Sequence, residues 1–485
     1  MQSTTNLGKI LPSNCDLDKT AIIDLSSNSQ LYSFRQIDQR SDAVARGLLS
    51  KQIGTGDKIS ILSDNSANFI STFFGAMRIG AVPVLINTKL PDTQIEKILS
   101  ETNSKLLFTD QNKKFIIETI QFGDSYENFL DFGNIEIYNP TDTDIAFIMY
   151  TSGSSGAPKG AMLTHKGHLW SVKRNVDHDT TWSHKRISLI SAPLYHANGL
   201  TTFEGSFAGG STIVLMSKFN SSDAIKTIEQ YRINTMFCIP TMIAMMVNDE
   251  IIKDANLTSM RHIRSASSHF SEHLLESVKK YFPNAVVLNS YGITEVGPGL
   301  FGRHPDGINR PITSVGYPAE GIEYKLIDDI LYVKSPSMQL SYYQSSSNDN
   351  LTSDGFFNTK DMFRIDEDGF YYFLGRSDDM FKCGGNRVYP ADVEAILESH
   401  PSVNSSVVLG LDDEIKGTKP YAFVVLKNTN EITEEELKQY CLSNGPAYQH
   451  PRRIWFLDLM PLTGTNKINK KELKRIAIEN LANQL

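Results

Sequence analysis

The chain runs to 485 residues, and single cores seldom exceed roughly 250 residues, so it should divide into a large body and something smaller. Hydrophobic residues make up 40% and charged residues 21%, the balance of an ordinary globular protein rather than of a disordered or membrane-embedded one. A formal net charge of −8 excludes a global attraction to nucleic acid or anionic membrane and points to small-molecule partners.

The first residues carry no basic segment followed by an apolar run, so an unexported, soluble, cytoplasmic protein without a transmembrane segment is expected. Ser33 and Gln36 form a capping-box pattern that opens a helix. From Lys58 to Ile86 the text alternates as strand, helix and strand: an apolar run, a Ser-Asp-Asn-Ser start, Phe69, Phe73 and Met77 at helical spacing, then Gly80 and a second apolar run. Apolar runs at Leu106 to Phe108, Ile145 to Met149, Thr212 to Leu215, Asn234 to Ile239 and Ala285 to Leu288 continue the alternation of a layered α/β body. The most apolar stretch, Phe237 to Val247, is far shorter than a membrane-spanning helix. Ser345 to Asn350 reads as a surface loop. The tail differs. Pro390 to His400 is expected to be helical with proline in its first turn, Val403 to Leu411 and Tyr421 to Leu426 extended, and Thr433 to Glu436 a second capping box. The polar stretch from Gly375 to Asp379 marks the boundary of this α+β tail. Cys15, Cys238, Cys383 and Cys441 have no CxxC spacing and no histidine at ligand distance, which argues against a disulfide framework or a zinc site.

The richest local signal is the stretch from Tyr150 to Gly160, which follows an apolar run with hydroxyls, glycines and one cation. Such a loop can wrap a polyphosphate: glycine allows close backbone approach, free N–H groups and hydroxyls donate to phosphate oxygens, and Lys159 offsets charge. It is not a Walker loop, because Gly160 follows the lysine. A plain glycine-serine surface linker is the competing reading.

Four further segments fall in an order that resembles the adenylate-forming superfamily of acyl-CoA synthetases, luciferases and peptide-synthetase adenylation domains. They are Pro193 to Gly199, Asn289 to Glu295, the run from Asp361 through Arg376 to Gly385, and Leu462 to Lys467. The resemblance spans nearly the whole chain. It implies a large multi-subdomain N-terminal body, layered α/β sheets plus a small β-barrel-like part, over residues 1–377. A mobile α+β C-terminal domain over 378–485 follows, hinged at Asp378.

The resemblance also implies a site. Thr151, Ser152, Gly153, Ser154, Ser155, Gly156 and Lys159 would cradle the phosphates of ATP. Asn289, Tyr291, Gly292 and Thr294 would hold AMP, with the tyrosine ring on adenine and the threonine hydroxyl at the α-phosphate. Glu295, with Thr151, would place Mg²⁺, as suits a hard-oxygen ligand. Asp361 would accept the ribose hydroxyls, with Phe373 and Arg376 beside it, and Ser268 would lie in the adenine pocket. There His269 takes the place of a proline usual in the family. His196 would line or gate the acid pocket. Lys467 would act in the first half-reaction, because carboxylate attack on a phosphate brings two anions together and a cation stabilises the charge that builds; Asn466 precedes it where glycine is usual. For the second half-reaction Lys382, Gly384 and Gly385 would swing against a coenzyme A tunnel, glycines leaving room for a thin thiol arm. Cys383 is read as a bystander. The implied function is an ATP-dependent carboxylic acid–CoA ligase for a fatty or aromatic acid. A stand-alone adenylation enzyme loading an acyl carrier protein and a catalytically silent nucleotide-binding homologue are the alternatives.

Overall fold

The computed structural model describes all residues except 14, 153–157, 179–182, 267–271, 345–349, 414–416, 428–431, 464–466 and 483–485. The strand–helix–strand unit expected at Lys58 to Ile86 forms as Lys58–Leu62, Ala67–Arg78 and Val82–Leu85, with the two strands parallel. It belongs to a six-stranded sheet that runs from Thr119–Gln121 through Leu106–Thr109, Lys58–Leu62, Val82–Leu85 and Ile145–Ser152 to Pro158–Thr164. All its pairings are parallel except the last, where Ile145–Ser152 and Pro158–Thr164 form a hairpin. These two strands flank residues 153–157 in the sequence.

A seven-stranded sheet stands beside it, ordered Val286–Ser290, His262–Ala266, Thr235–Cys238, Ile187–Ile190, Thr212–Leu215, Thr20–Asp24 and Gln30–Ser33. The helices Phe34–Ser50, Ala67–Arg78 and Ala197–Ala208 pack between the sheets, where Phe34, Phe74, Phe203 and Phe207 form one aromatic cluster with ring centroids 4.9–5.6 Å apart. Helix Ala67–Arg78 is buried on nearly all sides, which explains its almost continuous apolar sequence. The capping box at Ser33 and Gln36 is present, its two reciprocal hydrogen bonds at 2.7 and 3.1 Å.

Asn65 ties the two sheets together. Its Nδ2 donates to the carbonyls of Ala192 and Met216, both at 3.0 Å, and its Oδ1 accepts from the Leu194 N–H at 2.7 Å. Three strands of reach thus meet at one fully buried amide, immediately before the turn that carries His196.

The expected barrel-like part is an antiparallel meander of Glu323–Ile327, Ile330–Lys334, Phe357–Ile365 and Tyr371–Arg376, with a short ribbon of Phe301–Gly302 and Tyr317–Pro318 beside it. The tail forms a five-stranded sheet flanked by helices Pro390–Glu398, Glu434–Asn444 and Lys470–Ala482. It has its own apolar core, in which Cys383 is buried with Val388, Leu397 and Val424. The four cysteines are free.

Candidate active site

The N-terminal body and the tail enclose a cleft of about 2400 Å³. Thr151, Lys159, His196, Gly292 and Thr294 reach its wall from the N-terminal body; so do Tyr291, Glu295 and Arg376, and Asp378 and Lys467 reach it from the other side. Of the remaining expected residues, 153–156 and Ser268 lie outside the described residues, as does His269, and Ser152 is described only as the strand partner of Pro158.

One end of the cleft is a chain of polar contacts. Asp361 and Arg376 are register partners on adjacent antiparallel strands, which puts the guanidinium 3.4 Å from the carboxylate. The Tyr291 hydroxyl donates to Asp361 Oδ2 at 2.5 Å. Arg376 also reaches Asp378 at 3.5 Å. Burial pushes the Asp361 carboxyl up to about 6, against the opposing pull of Arg376 and of the Tyr291 hydroxyl. Burial, reinforced by that carboxylate, holds the Tyr291 phenol well above its ordinary value, so the shared proton stays on tyrosine. The Tyr291 ring is fixed by Phe363 edge-on at 4.8 Å and by Phe373 nearly parallel at 6.1 Å. Asn289 sits at the end of an edge strand and donates to the Thr313 carbonyl at 3.2 Å, buried rather than on the cleft wall.

Thr151 and Lys159 are paired across the hairpin. The Lys159 ammonium lies 5.3 Å from the centre of the Tyr342 ring, and the Tyr342 hydroxyl donates to Glu295 Oε1 at 2.9 Å. Tyr342 thus stands between a cation and a carboxylate that would otherwise pair, and leaves each accessible from the cleft. Sequence reasoning missed it, because it belongs to no motif; only the pairing of residues 340–343 with strand Pro158–Thr164 brings it in. Among the described residues no three His, Cys, Asp or Glu side chains cluster as a metal cage. A single carboxylate with a nearby hydroxyl suits Mg²⁺, which keeps water and takes most of its ligands from phosphate. Glu295 and Thr151 fit an ion delivered with a nucleotide.

At the other end, Pro193 to Gly199 makes a tight turn into helix Ala197–Ala208. The His196 N–H donates to the Pro193 carbonyl at 3.1 Å, and a Cβ on Gly199 would stand 2.2 Å from that same carbonyl oxygen. Only glycine fits there. Burial, with Lys467 adding repulsion, pulls His196 down to about 3, so the imidazole is neutral, and its Nε2 is sealed without a hydrogen-bond partner. Lys467 accepts through its carbonyl from the Thr463 N–H at 2.6 Å. Its side chain is open to the cleft while the walls surround the ammonium; this loss of solvent lowers its proton affinity, Asp361 and Glu295 oppose the fall and Arg376 adds to it.

Lys382, Gly384 and Gly385 are not on the cleft wall. The two glycines form the tip of the hairpin Phe381–Cys383/Asn386–Val388 with φ of 56° and 86°, and a Cβ on either would meet nothing within 4 Å. In this arrangement turn conformation, rather than a close neighbour, accounts for them.

Comparison with known proteins decides the family. The AMP-binding enzyme family model matches residues 13–343, and the AMP-binding enzyme C-terminal domain model matches 392–467. The chain belongs to the AMP-binding enzyme family. It is 27% identical to 4-coumarate–CoA ligase 2 of Nicotiana tabacum, over 94% of this chain and 91% of that one. It is 29% identical to 2-succinylbenzoate–CoA ligase of Bacillus subtilis, over 93% and 94%. The crystal structure of an anthranilate CoA ligase in complex with anthranoyl-AMP superposes with a TM-score of 0.90 at 26% identity, covering 100% of this chain and 99% of that one. The expected resemblance and the expected α/β architecture of this AMP-binding enzyme are borne out.

Proposed function

We propose that this protein is an ATP-dependent ligase that joins an aromatic carboxylic acid to coenzyme A in two steps. One observation carries the reading: Lys467 from the tail and Glu295, Arg376 and neutral His196 from the body converge on one cleft, with Asp361 buried directly behind Tyr291 and Arg376. The relatives named for aromatic acids support an aromatic over a fatty substrate, and the match along both chains supports the same two-step ligation.

In the first step a carboxylate oxygen attacks the α-phosphorus of ATP, the bond to pyrophosphate breaks, and an acyl-adenylate forms. Asp361 accepts the ribose hydroxyls, and the Tyr291 ring, clamped by Phe363 and Phe373, offers its face to adenine. Lys159, with the Ser/Gly-rich stretch before it in the sequence, takes the outer phosphates. Lys467 stands between the incoming carboxylate and the α-phosphate, where a preorganised cation favours the transition state over the separated anions. His196, uncharged and partnerless at Nε2, excludes water without adding a competing charge. Magnesium ion held by Glu295 would neutralise phosphate charge when ATP binds.

In the second step the thiol sulfur of coenzyme A attacks the acyl carbon, the bond to AMP breaks and the thiol proton leaves to solvent. Residues 378–485 act here as a body hinged at Asp378, and rotation about it exchanges Lys467 for the Gly384–Gly385 hairpin. A cytoplasmic setting fits this use of coenzyme A, and no helix among the described residues is long and apolar enough to cross a membrane. The test is exchange of labelled pyrophosphate into ATP across a panel of aromatic and aliphatic acids, with AMP release scored with coenzyme A, with a phosphopantetheinylated carrier protein and with neither. Acid-dependent exchange and coenzyme A-dependent AMP release are expected. No exchange with any acid makes the protein a silent nucleotide binder, and release with the carrier alone makes it a carrier-loading enzyme.

A further inference from the structure

Helix His165–His178 packs against helix Ala197–Ala208. Between them His168 Nδ1 lies 3.2 Å from Glu204 Oε2, and the two side chains are 4% and 0% exposed. The chemistry of adenylation uses neither. A buried carboxylate normally gathers several donors, because desolvation without them is costly. Among the described residues Glu204 Oε1 has no hydrogen-bond partner, and His168 is the one side chain within hydrogen-bond distance of the carboxylate. A pair this poorly satisfied is a weak stabiliser of a fold.

Its geometry suits something else. With the neutral imidazole donating from Nδ1–H to the Glu204 carboxylate, the tautomer is fixed and Nε2 keeps its lone pair. Among the described residues Nε2 makes no hydrogen bond, it is not among the sealed polar atoms, and its residue is on the cleft wall, which also includes Met149, Leu163 and Thr202. Phe147 meets the imidazole edge-on at 4.7 Å and keeps it from turning. Glu204 lies on the same helix that His196 opens, about 12 Å further along its axis at 1.5 Å per residue. An acid with its carboxylate near His196 and Lys467 and its body laid along this helix would bring its far end to His168.

We propose that His168, held by Glu204, is a hydrogen-bond acceptor for a donating substituent, a hydroxyl or an amino group, on the end of the aromatic acid remote from its carboxylate. The inference rests on the reading that the cleft activates aromatic acids, and it narrows the substrate to those with such a donor.

The experiment compares aromatic acids of equal length bearing a terminal hydroxyl, a methoxy group or no substituent. Their kcat/KM in pyrophosphate exchange and their dissociation constants by calorimetry are measured for the wild type, His168→Leu and Glu204→Gln. The wild type should favour the hydroxyl over the methoxy acid by about tenfold or more in both measures, since an ether oxygen cannot donate. His168→Leu should bring that ratio to about one, and Glu204→Gln, which frees the tautomer, should narrow it. Equal handling of the hydroxyl and methoxy acids by the wild type overturns the proposal without recourse to a variant. So do variants that weaken all three acids alike and lower the melting temperature, which is what a structural pair would do. If no aromatic acid supports exchange, it is the functional reading that falls.

Discussion

The two walls of the cleft are built on opposite plans. On the side proposed for the nucleotide the polar groups are already spent on one another: Tyr291 donates to Asp361, Asp361 faces Arg376, and Arg376 reaches Asp378. On the side proposed for the acid, His196 Nε2, Asn198 Oδ1 and Glu204 Oε1 are buried with no partner among the described residues. The first plan suits a ligand that never varies, because the ring and the carboxylate are aimed before it arrives. The second leaves hydrogen-bonding capacity for a ligand to satisfy, at a standing cost of about 1–3 kcal/mol for each unmet group.

The comparison breaks most visibly at Lys467, which serves both walls. Lys467→Ala should lower pyrophosphate exchange by about 10²–10³, while a synthetic acyl-adenylate supplied with coenzyme A is still consumed at near wild-type rate. Equal loss of both half-reactions in a protein with a native circular dichroism spectrum would show that the tail does not exchange Lys467 for another segment.

Asp361→Asn should sharpen the contrast by moving activity and stability in opposite directions. Its carboxyl sits at about 6 rather than 3.8, so the folded state prefers the protonated form. The stability this gives is fully present below the ordinary carboxylate value and is lost as pH rises through about 6. At pH 8 the ionised wild type therefore bears a penalty on the order of 2–3 kcal/mol, which urea denaturation of Asp361→Asn should show as a gain. The apparent KM for ATP should rise by about tenfold or more in the same variant. In the wild type, adenylation should fall away below pH 6 as the carboxylate protonates, and that acidic limb should flatten in the variant.

Smaller effects are expected around Tyr342. Glu295→Gln keeps volume and loses the charge a hard cation needs, so the magnesium concentration required for ATP binding, read by calorimetry as well as by exchange, should rise strongly. Tyr342→Phe keeps the ring under Lys159 and removes only the donor to Glu295, so the same titration should move about two- to tenfold. An unmoved midpoint would make Tyr342 a packing residue.

Legibility in the sequence follows the same division. The residues proposed to hold the nucleotide are carried by short contiguous runs, Asn289 to Glu295 and the two strands around Asp361 and Arg376, so they could be named as candidates from the text, although Asn289 and Asp361 are buried off the cleft wall. The strand–helix–strand unit at Lys58 and both capping boxes were equally readable, because periodicity and caps are local properties. Tyr342 was not, since its position depends on a strand more than 170 residues upstream. Neither was the pair of His168 and Glu204, two polar residues on separate amphipathic helices that look in the text like ordinary surface positions. The glycines at 384 and 385 were noticed for a neighbour they do not have here; their backbone angles explain them instead.

Asn65 has a bearing on how such an enzyme changes its diet. One amide fixes the start of the turn before His196 to both sheets at once, so the origin of helix Ala197–Ala208 is pinned while the faces of the helix are not. Substitutions at 198, 201, 202 or 204 can then redraw the acid's surroundings without dragging the phosphate-side strands with them. A protein made this way offers directed evolution a small adjustable wall on a fixed datum, and libraries that vary those four positions with Asn65 untouched should retain ATP binding in most members.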